Sequence, residues 1–178
     1  MKRPLVDVNV VLDAVLERGP HSEPATRLWA AVETKRIQAL IPAHGVTTIF
    51  YLLAREKGAV YARRAVRDLV GVFGVAAVDQ AVLQRALALG WRDFEDAVCA
   101  AAAEAAGCDL IVTRDPKGFP DSSVPAVDAD TAMALLAGAG PGQVRERASG
   151  AFASDRVGRK PLAPRRRRAQ AARGLRKE

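Results

Sequence analysis

A chain of 178 residues suits one domain with a real hydrophobic core plus an appendage. Its net charge of +7 is lopsided: residues 1–140 carry 15 Lys/Arg against 17 Asp/Glu, a balance of −2, and residues 141–178 carry 12 against 3, a balance of +9, so the overall basicity says little about the domain itself. Cys99 and Cys108 form neither a disulfide framework nor a zinc-ligand spacing, Asp7 interrupts the short N-terminal apolar run, and no uncharged stretch approaches the ~20 residues of a membrane span, so we expect a cytoplasmic protein with no signal peptide and no membrane partner.

Leu5–Val8 reads as a first strand, too short and apolar for an amphipathic helix, and Val10–Glu17 as the helix after it, broken by Gly19-Pro20. Ser22 is placed to cap a second helix through about Lys35, with Leu28, Trp29 and Val32 inward. Ile37–Ile41 is a strand ended by Pro42. From Gly45 to Arg55 the apolar residues recur at helical spacing, and Gly58 opens another helical stretch, Val60–Val70. Val72–Val78 fits a third strand and Val82–Leu89 a helix stopped by Gly90. The Ala-rich stretch from about Asp93 to Ala106 is a helix closed by Gly107. Asp109–Thr113 and Val124–Val127 are the last strands, and Thr131–Leu136 the last helix. Strands of continuous apolar character alternating with helices predict a three-layer α/β/α sandwich on a mostly parallel sheet over residues 1–137. Gly138–Gly142 reads as a linker, and residues 138–178, with Arg165–Arg168 and few large apolar groups, as a basic, disordered tail.

Three aspartates fall where such a fold gathers side chains. Asp7 ends the first strand, Asp115 follows Leu110–Arg114, and Asp96 lies at the start of the Ala-rich helix. Open α/β folds place their sites at the carboxyl edge of the sheet. Convergent carboxylates repel one another, and a hard, oxygen-seeking cation such as Mg²⁺ or Mn²⁺ removes that repulsion and activates water for phosphodiester cleavage. Singly, each acid also has an ordinary reading. Asp7 or Asn9 suits a helix cap, Asp93 and Glu95 suit a helix's first turn, and Asp115-Pro116 suits a turn. Asp96 fits the ordinary reading least, because Ala97, Val98 and Cys99 lead its helix straight into packed core.

Taken together, Val6-Asp7-Val8-Asn9-Val10, Asp93-Phe94-Glu95-Asp96-Ala97 and Val112-Thr113-Arg114-Asp115-Pro116-Lys117-Gly118-Phe119 resemble, in this order, the PIN-domain nucleases, in particular the branch of bacterial VapC-like toxins. The resemblance spans about Pro4 to Leu136. It implies a parallel α/β sandwich and a ribonuclease dependent on Mg²⁺ or Mn²⁺, with Asp7, Asp96 and Asp115 as catalytic metal ligands and Asp93 as an outer carboxylate. It further implies that Asn9 and Thr113 brace the acids and that Phe119 anchors the loop after the last acidic strand. The expected partners are RNA, a small antitoxin and a second copy of the chain in a homodimer.

The chain departs from the commoner family pattern at one place. Where a further acid, commonly Glu, stands on the helix after the second strand, this sequence reads His44-Gly45-Val46-Thr47-Thr48-Ile49, and Thr48 is nearest the expected position. Two other readings stay open. One is an inactive scaffold of the same fold that binds RNA through the tail; the other is a haloacid-dehalogenase-type phosphatase, whose second acid would stand where Asn9 does. His21 and His44 have no ligand-spaced partner and read as loop residues, and Trp29 and Trp91 as packing groups.

Overall fold

The computed structural model describes residues 2–137; the expected linker and basic tail lie outside the described residues. Five short strands, β1 (Pro4–Val6), β2 (Leu40–Pro42), β3 (Gly74–Ala76), β4 (Leu110–Val112) and β5 (Ala126–Val127), pair in the order β3-β2-β1-β4-β5, all parallel. Seven helices complete the described chain: α1 (Val8–Leu16), α2 (Ser22–Glu33), α3 (Ala43–Lys57), α4 (Ala59–Val72), α5 (Gln80–Leu89), α6 (Phe94–Ala105) and α7 (Ala129–Leu136).

The pleat sends neighbouring residues of a strand to opposite faces, and each face builds its own core. Val6, Ile41 and Val112 pack with Val11, Leu12, Leu28, Ile49, Leu53 and Leu69 from α1, α2, α3 and α4, with Ala132 of α7. Leu5, Ile111 and Ala76 pack on the other face with Val82 and Ala86 of α5 and the alanine run of α6. That run, Ala97–Ala103, is buried throughout, and its small side chains let α6 lie close against the sheet. The three layers expected from the alternation of strands and helices are therefore present, with a sheet that is wholly parallel among the described residues.

Several boundaries differ from the sequence reading for identifiable reasons. β1 stops at Val6 because the Asp7 carbonyl already accepts from the amides of Val10 and Val11, so α1 starts at Val8. Ser22 does not cap α2: its hydroxyl donates back to the Gly19 carbonyl at 3.0 Å and closes a 3₁₀ turn, Gly19–His21, that leads into the helix. β2 keeps Pro42, paired opposite Ala76. His44 lies in the first turn of α3 and not in a loop. Gly90 ends α5 in the left-handed region at φ +65°, as its position after the periodic stretch suggested. Trp29 meets Phe73 edge-on at 5.1 Å and Trp91 meets Phe119 at 6.0 Å, so both are packing groups. Cys99 and Cys108 are free and buried.

Sheet order creates the geometry that matters. The chain runs outward from β1 through β2 to β3, then crosses back to β4 and proceeds to β5. The connection reverses between β1 and β4, and the loops leaving these two central strands part to opposite faces, which opens a crevice at the carboxyl edge.

Candidate active site

Asp7 follows β1 directly, and its amide donates to the Val112 carbonyl at 2.9 Å, so the backbone ladder with β4 continues up to the acid. The Asp7 residue is only 7% exposed. Burial pushes its carboxyl above the ordinary value; the Thr113 hydroxyl pulls the other way, with the amides of Val8 and Asn9 and the Asn9 side chain. Thr113 is the brace of the site. Its buried hydroxyl donates to Asp7 Oδ2 at 2.9 Å and accepts from the Asp115 amide at 3.2 Å, so one side chain links the ends of β1 and β4. Asn9 Nδ2 lies 3.5 Å from the same Asp7 oxygen, a weaker contact.

Asp96 comes to this edge from the first turn of α6. Asp93 caps that helix, accepting from the amides of Glu95 at 2.9 Å and Asp96 at 3.2 Å through Oδ1. Asp7, Asp93, Glu95 and Asp96 line one small pocket with Asn9 and Thr48. Asp115 stands beside it: a Cβ added to Gly118 would lie 2.7 Å from Asp96 Oδ2 and 3.7 Å from Asp115 Oδ2, so both carboxylates border the space that a side chain at Gly118 would fill. Asp115 also accepts from the Lys117 amide at 3.2 Å and opens a 3₁₀ turn, Pro116–Gly118, behind which buried Phe119 holds the loop against Trp91.

The electrostatics follow from this crowding. The Asp96 carboxyl is pushed up to about 7, by partial burial first and then by the charges of Asp93, Asp7, Asp115 and Glu95. Glu95 is raised as well, by burial, then by Asp7 and Asp93. Among the described residues none of these five acids pairs with Lys or Arg, whereas Glu104 pairs with Arg85, Asp130 with Arg27, and buried Asp13 with Arg114. The last pair has a positioning consequence. Arg114 Nη1 meets Asp13 Oδ1 at 3.1 Å and ties the residue before Asp115 to α1.

Five uncompensated carboxylates form a hard-oxygen donor set of the kind Mg²⁺ and Mn²⁺ prefer, and a divalent cation would relieve the repulsion that raises Asp96. The fit rests on donor chemistry and charge, because among the described residues no three His, Cys, Asp or Glu side chains stand close enough to enclose an ion as placed. Larger clefts lie elsewhere, but the acids beside the α5–α6 cleft are already engaged, Asp79 capping α5 and Glu104 pairing with Arg85. Chemistry, not volume, marks the site.

The structure thus brings Asp7, Asp93 and Asp96 together with Asn9 and Thr48 and sets Asp115 and Thr113 at their border. Thr48 reaches the pocket wall, but its hydroxyl donates back to the His44 carbonyl at 3.4 Å. Sequence reasoning missed Glu95, treated as a first-turn acid, and the role of Gly118. Only the position of Glu95 next to Asp96 hinted at the first, and nothing local pointed to the second.

A PIN domain family model matches residues 3–117. No curated protein sequence matches the chain. Among solved structures it is similar to the VapC20 toxin of Mycobacterium tuberculosis, described as cleaving the sarcin-ricin loop, at 20% identity and a TM-score of 0.55, covering 65% of this chain and 92% of that one. It is similar to a toxin-antitoxin complex from Klebsiella pneumoniae at 19% identity and a TM-score of 0.55, over 71% and 97% of the two chains. It also resembles PAE2754 of Pyrobaculum aerophilum, at 21% identity and a TM-score of 0.53, over 77% and 90%. At these identities the solved structures establish a shared fold, and the family match over most of the described chain establishes membership: the chain belongs to the PIN domain family.

Proposed function

We propose that this protein is a divalent-cation-dependent ribonuclease, the toxin of a toxin-antitoxin pair. The observation that carries the reading is the convergence of Asp7 and Asp96 on one pocket, with Asp115 beside it, where the sheet order reverses; partial burial and then the neighbouring acids push the Asp96 carboxyl up to about 7, and among the described residues none of the three pairs with Lys or Arg. Asp7, Asp96 and Asp115 would hold Mg²⁺ or Mn²⁺, with Asp93 outside them. When bound, the cation supplies Lewis-acid polarisation of a phosphate oxygen and lowers the pKa of an attacking water. The protein's own part is positional. Thr113 fixes Asp7 relative to the Asp115 loop, the Asp13–Arg114 pair fixes that loop to α1, and Asp93 fixes the first turn of α6 and so the direction of Asp96.

RNA is the substrate that this reading selects, and the toxin-antitoxin complex among the similar structures supports a small antitoxin as partner, with a segment covering the acidic pocket. A homodimer belongs to the same proposal. Residues 138–178, with their concentration of arginine, would add non-specific RNA affinity and no chemistry. No described helix is long and apolar enough to cross a membrane. The test is cleavage of RNA by the purified protein with Mg²⁺ or Mn²⁺, beside hydrolysis of a small phosphomonoester. Metal-dependent RNA cleavage abolished by EDTA, with the phosphomonoester untouched, supports the reading. Hydrolysis of the phosphomonoester alone points to the phosphatase, and RNA binding without cleavage to an inactive scaffold.

A further inference from the structure

We propose that Glu95 supplies the carboxylate that α3 lacks at Thr48, so that Asp7, Glu95, Asp96 and Asp115 together complete the cation site; this deepens the reading above and rests on it. Thr48 and Glu95 line the same pocket as Asp7, from opposite helices. Thr48 brings no charge, and its hydroxyl is turned to its own helix, to the carbonyl of His44 one turn back. Glu95 crosses from α6 toward that same turn: its Oε1 lies 4.0 Å from His44 Nε2. That distance is beyond a hydrogen bond, and among the described residues no Lys or Arg pairs with Glu95. A glutamate has one methylene more than the neighbouring Asp96, which is the added reach needed to place its oxygens on the α3 side of the pocket.

The ordinary account of Glu95 is a first-turn acid that complements the dipole of α6. That account depends on charge and not on side-chain length, and the difference is measurable. Mn²⁺ affinity is read by calorimetry on the full-length protein, with Glu104→Gln, an acid on the far part of α6, as control. Glu95→Gln and Glu95→Asp each weaken Mn²⁺ binding about tenfold, Thr48→Glu in the Glu95→Gln background restores it, and Glu104→Gln leaves it unchanged. Glu95 is half exposed, so these changes do not disturb the core. Wild-type affinity in Glu95→Asp, or in Glu95→Gln, overturns the inference, as does a Thr48→Glu exchange that restores nothing. A wild-type protein that binds no Mn²⁺ overturns both this inference and the cation-site reading, whereas Mn²⁺ binding insensitive to residue 95 overturns this inference alone.

Discussion

The central and outer strands of this sheet carry the same local pattern and put it to different uses. An aspartate follows β3, β5, β1 and β4 alike, as Asp79, Asp128, Asp7 and Asp115. After the outer strands, Asp79 accepts from the Val82 amide at 3.0 Å and Asp128 from the Thr131 amide at 2.7 Å, ordinary caps for α5 and α7. After the central strands, Asp7 begins α1 without a side-chain cap bond and is instead bonded to Thr113, while Asp115 caps only a short 3₁₀ turn through Oδ1 and leaves Oδ2 beside Gly118, the glycine against which Asp96 also lies. A strand-aspartate-helix sequence is therefore equally good for capping and for a site, and the position of the strand in the sheet order decides between them.

The sharpest way to break this comparison is to substitute both sets. On the proposed reading Asp7→Asn, Asp96→Asn and Asp115→Asn should each lower Mn²⁺-dependent RNA cleavage by at least about a hundredfold while the protein stays folded, since each removes one proposed ligand of the cation. Asp79→Ala and Asp128→Ala should leave cleavage intact and cost about 1 kcal/mol of stability apiece, the usual loss of a cap, measured by denaturant unfolding. Cleavage that falls as much in the outer pair as in the central set would end the distinction.

Gly118 offers a gentler test. A Cβ there must displace Asp96 Oδ2, 2.7 Å away, so Gly118→Ala should reduce cleavage by roughly ten- to a hundredfold through misplacement alone, with little change in melting temperature. An unchanged rate in this variant would show that the approach of Asp96 to Asp115 is irrelevant to the chemistry.

A smaller effect concerns pH. Asp96 titrates near 3.8 when unperturbed and about 7 in the fold, so between these values the folded protein holds a proton that the unfolded chain has lost. Its stabilising contribution is complete below about pH 4 and is lost as pH rises through 7. In EDTA the melting temperature of the wild type should therefore fall relative to that of Asp96→Asn as pH goes from 4 to 7, and Mg²⁺ should flatten the difference. Parallel curves for the two proteins would contradict the crowding of charge at Asp96.

The smallest change expected in turnover comes from removing residues 138–178. On the proposed reading this flattens the dependence of RNA affinity on salt, by about 0.7 in log–log slope for each phosphate that the tail neutralises, and spares cleavage at saturating RNA. An identical slope with and without the tail would remove its role in binding.

The periodic segments made the layered fold legible: strands of continuous apolar character, helices with 3.6-residue spacing and glycine stops at Gly90 and Gly107 all appear where their patterns lie. Boundaries moved where backbone bonding overrode composition, as when the Asp7 carbonyl starts α1 two residues ahead of its apolar stripe, or Ser22 closes a turn in place of a cap. Three short motifs occurring in order drew attention to Asp7, Asp96 and Asp115, of which Asp7 and Asp96 line one pocket and Asp115 stands at its border. Glu95 was hidden by a competing explanation that fits any first-turn acid. Gly118 was hidden because a close approach between two side chains from distant segments leaves no trace in local sequence. The Asp13–Arg114 pair was invisible for the same reason, since it joins helix α1 to the loop after β4.

The most direct test of the claim that the central strands gather a cation site, and the outer strands do not, is anomalous diffraction from crystals soaked in Mn²⁺. The account predicts a peak bounded by the carboxylates of Asp7, Asp96 and Asp115, lost in Asp96→Asn, and none at Asp79 or Asp128. Density absent from the central acids at saturating Mn²⁺, or equally strong at Asp79 or Asp128, would contradict it.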